Sequence, residues 1–151
     1  MRVVIQRVDE ASVLVNSSYT NSITLGYMIL LGIHTNDTYE DIEYIVSKIE
    51  KLRIFEDSEG KMNLSIKDVN GEILLISQFT LYGSVKDGNR PSFTDSMKFE
   101  DANNMYEEFK SRLSKTNIPF KTGEFGADMK VSLVNNGPTT IIIDSSDRNV
   151  K

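Results

Sequence analysis

Ser77-Gln78-Phe79-Thr80 is the stretch whose residue types invite chemistry: two hydroxyls, an amide and an aromatic ring end an apolar run and precede a glycine-containing loop. Such groups could form a polar site, and strand alternation would send Ser77 and Phe79 to one face, Gln78 and Thr80 to the other. The same pattern describes a strand running out into solvent, its hydroxyls satisfying nearby backbone groups. Spacing alone does not separate these readings. Asn135-Asn136-Gly137-Pro138 is equally open, because it is an ordinary turn composition and only about 5–6% of X–Pro bonds are cis. The single histidine, His34, follows an apolar strand and precedes a helix cap, so it reads as a strand-end residue. No nucleophile motif surrounds it, and Ser-His-Asp hydrolysis is not expected. With no cysteine in the chain, thiolate chemistry and Cys-based metal sites are excluded. The carboxylates show no metal-ligand spacing, so neither a metal nor another cofactor is expected.

The elements that must position these residues form one unit over residues 1–151, with no repeat or linker. Val3 to Val8 and Ala11 to Asn16 read as two strands joined around Asp9-Glu10, followed by a weaker strand near Tyr19 to Thr24 and an apolar strand from Tyr27 to Ile33. The first quarter is thus expected to be a meander. From Asp37 the apolar period becomes helical through Ile42, Ile45, Val46, Ile49 and Leu52, with Thr38 and Asp41 as a capping box. Asn70-Gly71 opens a strand expected to run from Glu72 to Leu81. A polar loop from Gly83 to Thr94 leads to a second helix whose buried face is marked by Phe99, Ala102, Met105, Tyr106, Phe109 and Leu113. Met129 to Val134 and Thr139 to Asp144 read as two strands of a hairpin. The class is α+β: mostly antiparallel sheet, as two packed sheets or a partly open barrel, with two main helices set among runs of strands rather than strict β-α-β units.

A net charge of −5 argues against a protein that tracks long stretches of nucleic-acid backbone, so any RNA contact must be local and no DNA partner is expected. Basic residues such as Lys86, Arg90 and Lys98 fit a solvated surface or a phosphate patch, and composition does not decide between them. The longest apolar run is far below the ~20 residues that cross a bilayer, and the N-terminal residues lack a signal-peptide pattern. A cytoplasmic protein without a membrane partner is expected.

Seven blocks in order carry more information than any one of them. They are Met1-Arg2-Val3-Val4-Ile5-Gln6-Arg7-Val8, Leu52-Arg53-Ile54-Phe55-Glu56-Asp57, Gly60-Lys61-Met62-Asn63-Leu64-Ser65, Ser77-Gln78-Phe79-Thr80-Leu81-Tyr82, Arg90-Pro91-Ser92-Phe93, Thr122-Gly123-Glu124-Phe125-Gly126-Ala127-Asp128-Met129 and Val131-Ser132-Leu133-Val134-Asn135-Asn136-Gly137-Pro138-Thr139-Thr140. Together, over essentially the whole chain, they resemble the D-aminoacyl-tRNA deacylase family. The resemblance implies hydrolysis of the ester that joins a D-amino acid to the 3′ end of tRNA. It implies that Ser77, Gln78, Phe79 and Thr80 form one half of an active site completed across a homodimer interface by Gly137 and Pro138 of the other subunit. It further implies a cis Gly137–Pro138 bond whose carbonyls face the aminoacyl group, with Arg7 holding that turn. An L side chain would then meet the Gly-Pro backbone, whereas a D side chain points away, and glycyl-tRNA would leak through. Oxyanion donors would be the backbone amides near Phe79 and Thr80, with the terminal 2′-hydroxyl helping to activate water in preference to a Thr80 nucleophile. The loop Gly83 to Asn89 departs from the family's usual stretch after the first motif. Three other readings are a paralogue with a trans Gly-Pro turn, a non-catalytic RNA-end-binding dimer, and a generic esterase.

Overall fold

The computed structural model describes residues 1–150. Strand β1 spans Arg2–Val15 without a break, where two strands flanking Asp9-Glu10 were expected. Its pairing with β8 (Met129–Asp144) shifts register on either side of Val8 and then continues. Such a bulge takes up extra residues without ending the strand, and it also exchanges the strand's faces. Before it, Val3 and Ile5 enter the core beneath the helices; beyond it, Val13 and Val15 enter a second core with Met28, Leu74 and Ile76.

β2 (Tyr19–Ile23) folds back on the second half of β1, but β3 (Gly26–Gly32) returns to the first half of β1 and not to β2. The expected meander is therefore replaced by a β2-β1-β3 order. Helix α1 (Tyr39–Lys51) and the small antiparallel sheet of β4 (Arg53–Glu56) and β5 (Met62–Ser65) lead to β6 (Glu72–Ser77), which lies parallel to β3. Helix α2 (Phe99–Ser114) then connects β6 to β7 (Phe120–Thr122), again in parallel. Parallel neighbours need such crossovers, so two helical connections stand where runs of strands were expected.

The edges of the sheet approach each other where Asn21 Nδ2 donates to the Thr122 carbonyl and Lys121 Nζ to the Ser22 carbonyl, both at 2.7 Å. The result is the α+β class foreseen from the pattern: a mixed sheet nearly closed into a barrel, with two main helices against it. α1 starts at the anticipated cap, where the Thr38 amide donates to the Asp41 carboxylate at 2.7 Å, and it buries Ile42, Ile45 and Ile49 completely. Burial of each such side chain contributes roughly 1.5–3 kcal/mol. α2 buries Ala102, Met105, Tyr106, Phe109 and Leu113, but Phe99, placed on the same face by its spacing, is 66% exposed.

The hairpin expected around Asn135 to Pro138 is absent, because β8 pairs antiparallel with β1 on both sides of that segment, and Asn136 to Thr139 bulge out of the ladder opposite Arg7. Among the described residues, no helix is long and apolar enough to cross a membrane.

Candidate active site

β6 ends at Ser77, and Phe79–Tyr82 form a 3-10 turn where an extended strand was expected. The parallel pairing runs out there, its last bond being the Gln78 amide to the Leu31 carbonyl at 2.7 Å. Gly32, the next residue along β3, makes room for the turn: a Cβ there would lie 2.9 Å from Leu81 Cβ and 3.2 Å from the Gln78 carbonyl oxygen. The expectation that Ser77 to Thr80 alternate between faces fails for the same reason, and Gln78 Nε2 donates to Thr80 Oγ1 at 2.5 Å.

Within the turn the Leu81 amide donates to the Gln78 carbonyl at 3.2 Å and the Gly83 amide to that of Thr80 at 2.9 Å. The N–H groups of Phe79 and Thr80 come first and have no partner inside the turn. Two side chains from elsewhere brace it. Ser96 Oγ donates to the Phe79 carbonyl at 3.0 Å, and this carbonyl shares a peptide plane with the Thr80 N–H. Arg2 donates from Nη1 to the Leu81 carbonyl at 3.0 Å and from Nε to Asp144 at 2.9 Å, with its guanidinium 4.8 Å above the Tyr82 ring.

Ser77, Gln78 and Phe79 line a cleft of about 580 Å³ whose other walls come from Phe99 and Ala102 of α2, Phe125 to Met129, and Val131. Phe79 is 58% exposed and meets Phe93 edge-on, with ring centres 5.1 Å apart. Asp128 is the one ionisable residue in this lining. Among the described residues no group of His, Cys, Asp and Glu is arranged to hold a metal ion. His34 lines a separate hollow of about 650 Å³ with Arg2, Asp37 and Tyr82, and its Nδ1 accepts from the Asn36 amide at 3.1 Å. That is the strand-end role its position in the sequence implied.

Gly137 and Pro138 are exposed on β8 and joined by a cis peptide bond, the geometry implied by the resemblance. Gly137 has φ +126°, and a Cβ would come within 2.5 Å of Thr139 Oγ1 and 3.0 Å of Arg7 Nη2, so only glycine fits. Arg7 is 5% exposed and donates from Nε to the Asn136 carbonyl at 3.1 Å and from Nη1 to the Ile54 carbonyl at 2.7 Å. Neither Gly137 nor Pro138 lines the cleft of its own chain. The seven residues singled out from sequence thus fall into two clusters, Ser77 to Thr80 and Arg7 with Gly137 and Pro138. Reasoning from sequence missed Ser96 and Arg2 as supports of the turn. Ser96 sits in a segment without periodicity, and Arg2 was visible only as a polar residue in an apolar strand.

Known proteins match this arrangement over nearly the whole chain. The model of the family described as D-Tyr-tRNA(Tyr) deacylase matches residues 4–144. A D-aminoacyl-tRNA deacylase of Finegoldia magna is 56% identical over 96% of this chain and 98% of its own. One from Clostridium botulinum is 53% identical over 97% and 98%. A solved structure described as c-Myc DNA Unwinding Element Binding Protein superposes with a TM-score of 0.89 at 43% identity, covering 95% of this chain and 98% of the other. Another, described as a probable eukaryotic D-amino acid tRNA deacylase, has a TM-score of 0.81 at 20% identity with the same coverage, and shares the fold. With the match spanning both the turn after β6 and the Gly-Pro segment of β8, the chain belongs to the D-Tyr-tRNA(Tyr) deacylase family.

Proposed function

We propose that this protein hydrolyses the ester of D-aminoacyl-tRNA, releasing the D-amino acid and free tRNA. The observation that carries this reading is the 3-10 turn at the mouth of the cleft, with the Phe79 and Thr80 N–H groups unclaimed by the turn and its peptide plane held by Ser96. Donors of this kind can stabilise the oxyanion that forms when water adds to the ester carbonyl. Thr80 is a poor nucleophile here, because its Oγ1 accepts from the Gln78 amide and among the described residues no base takes its proton. Water activated with help from the substrate's own 2′-hydroxyl fits better. Ser77 and Gln78 then position the ester, and Phe79 offers a ring to the terminal adenosine.

Gly137 and Pro138 supply chirality from a second copy of the chain. The reading is supported by their exposure on β8, which among the described residues pairs with β1 alone, and by their absence from the cleft of their own chain. A D side chain leaves this backbone alone and an L side chain collides with it, while a glycyl ester has nothing to exclude. The enzyme is therefore a homodimer that works in the cytoplasm, where its tRNA substrate is found. The DNA-element description belongs to the similar structure that carries it; at net charge −5 this chain lacks the basic surplus on which duplex binding draws. An unpaired 3′ end asks for few phosphate contacts.

The test is single-turnover deacylation of D-tyrosyl-, L-tyrosyl- and glycyl-tRNA without added metal. Loss of the D ester, slower loss of the glycyl ester and survival of the L ester are expected. Equal D and L rates would overturn steric exclusion, and no cleavage of any ester would leave only an RNA-end-binding protein. A terminal 2′-deoxyadenosine should slow the reaction strongly if the substrate hydroxyl takes part.

A further inference from the structure

Phe99 breaks the pattern of its own helix. It falls on the buried side by spacing, yet it is 66% exposed, and it lines the same cleft as Phe79, itself 58% exposed. Its ring is held in place: it meets Phe125 edge-on with centres 5.1 Å apart, and it packs so closely over Gly126 that a Cβ there would lie 2.6 Å from Phe99 Cε2. A ring fixed from below and open above is a stacking surface. The neighbouring charges bear on how a ligand would be held. Asp128 lines the cleft and disfavours a phosphate inside it, and Phe99 is flanked in sequence by exposed Lys98 on one side and exposed Glu100 and Asp101 on the other, so the ring rather than charge would hold the ligand.

We infer that Phe99 stacks against the unpaired nucleotide preceding the terminal adenosine of tRNA, giving the cleft a second base-binding position beside that of Phe79. The inference rests on the reading of the cleft as the ester site. It assigns two aromatic rings to two successive bases, the arrangement by which single strands are commonly held. Affinity for the tRNA end then comes largely from ring stacking, in keeping with an acidic chain.

The chain contains no tryptophan, so Phe99→Trp installs a single indole that a stacked base will quench. The expected result is strong quenching by the deacylated trinucleotide cytidylyl-cytidylyl-adenosine and much weaker quenching by adenosine monophosphate. In parallel, Phe99→Ala should raise KM for D-tyrosyl-tRNA by roughly 10-fold with little change in kcat, and the loss on D-tyrosyl-adenosine should be several-fold smaller. Equal quenching by both probes, no quenching, equal losses on both substrates, or a change of oligomeric state in Phe99→Ala would each overturn the inference. If the wild type cleaves neither ester while the trinucleotide still quenches Trp at position 99, the hydrolytic reading fails and the base-binding position stands.

Discussion

Replacing Arg7 tests whether a buried guanidinium holds the Gly137-Pro138 segment in place. The side chain is 5% exposed and its two shorter bonds bridge β4, through the Ile54 carbonyl, to the residue before Gly137, through the Asn136 carbonyl. Its contact with Glu56 is long, at 4.0 Å, and that carboxylate is largely exposed, so it adds little. A hydrogen bond from a charged donor is worth roughly 1.5–3 kcal/mol. Lysine keeps one such bond at most, because an ammonium lacks the planar fork, so Arg7→Lys should cost about 2 kcal/mol of stability. Arg7→Met leaves both carbonyls without this donor, at about 1–3 kcal/mol for each, and should cost about 2–6 kcal/mol. Urea unfolding of both variants measures these losses. Chiral selection is the second readout: with the segment released at Asn136, the ratio of D- to L-tyrosyl-tRNA cleavage should fall in Arg7→Lys at a urea-free temperature where the variant is fully folded. A stability loss of the expected size with an unchanged D/L ratio would refute the positioning argument and leave Arg7 as a fold residue. Stability unchanged within about 0.5 kcal/mol would refute the energetic one.

Ser96→Ala removes the donor that orients the Phe79–Thr80 peptide, a bond worth about 1 kcal/mol, so kcat should drop about 5-fold with KM nearly unchanged in steady-state assays. Gly137→Ala forces an L residue into φ +126° against Thr139, and should cost about 1–3 kcal/mol in unfolding experiments and suppress D-ester cleavage in a folded variant. Partial burial pushes the Asp144 carboxyl up, but hydrogen bonds from Ser146 and Arg2 outweigh it and hold the group below the usual carboxylate range. Its contribution to stability is therefore present above about pH 4 and fades as pH falls through the lowered folded value. The gap in Tm between wild type and Asp144→Asn should be widest near neutral pH and should close in acid; a constant gap would contradict the linkage.

The two helices and their buried faces, Phe99 excepted, were legible in the sequence because apolar residues at helical spacing, with a cap at Thr38, leave few alternatives. The same local reading misjudged places where distant strands decide. Asp9-Glu10 looks like a turn until β8 is available to bridge the bulge, and Asn135 to Pro138 looks like a reversal until β1 is found beside it. Ser77 to Thr80 reads as strand because nothing in its composition announces that the pairing with β3 stops at Gly32. For the site, pattern left Ser77 to Thr80 and Gly137-Pro138 ambiguous, and only the ordered resemblance across the chain singled them out. Ser96 and Arg2 were illegible as supports because a hydrogen bond to the carbonyl of a distant residue leaves no periodic trace.

The long pairing of β1 with β8 also governs the order in which the molecule can assemble. Arg2 meets Asp144 across 142 positions of sequence, and every rung between these strands joins early chain to late chain. Such nonlocal contacts slow folding, because loop closure must precede any gain from pairing. On the ribosome, where roughly 5–20 residues are added each second, β1 can find β2 and β3 many seconds before its other edge is covered. During that interval it presents an unpaired edge of N–H and C=O groups to neighbouring nascent chains. Val13 and Val15, the residues that build the second core, are thus also the part of the chain most dependent on protection until β8 emerges.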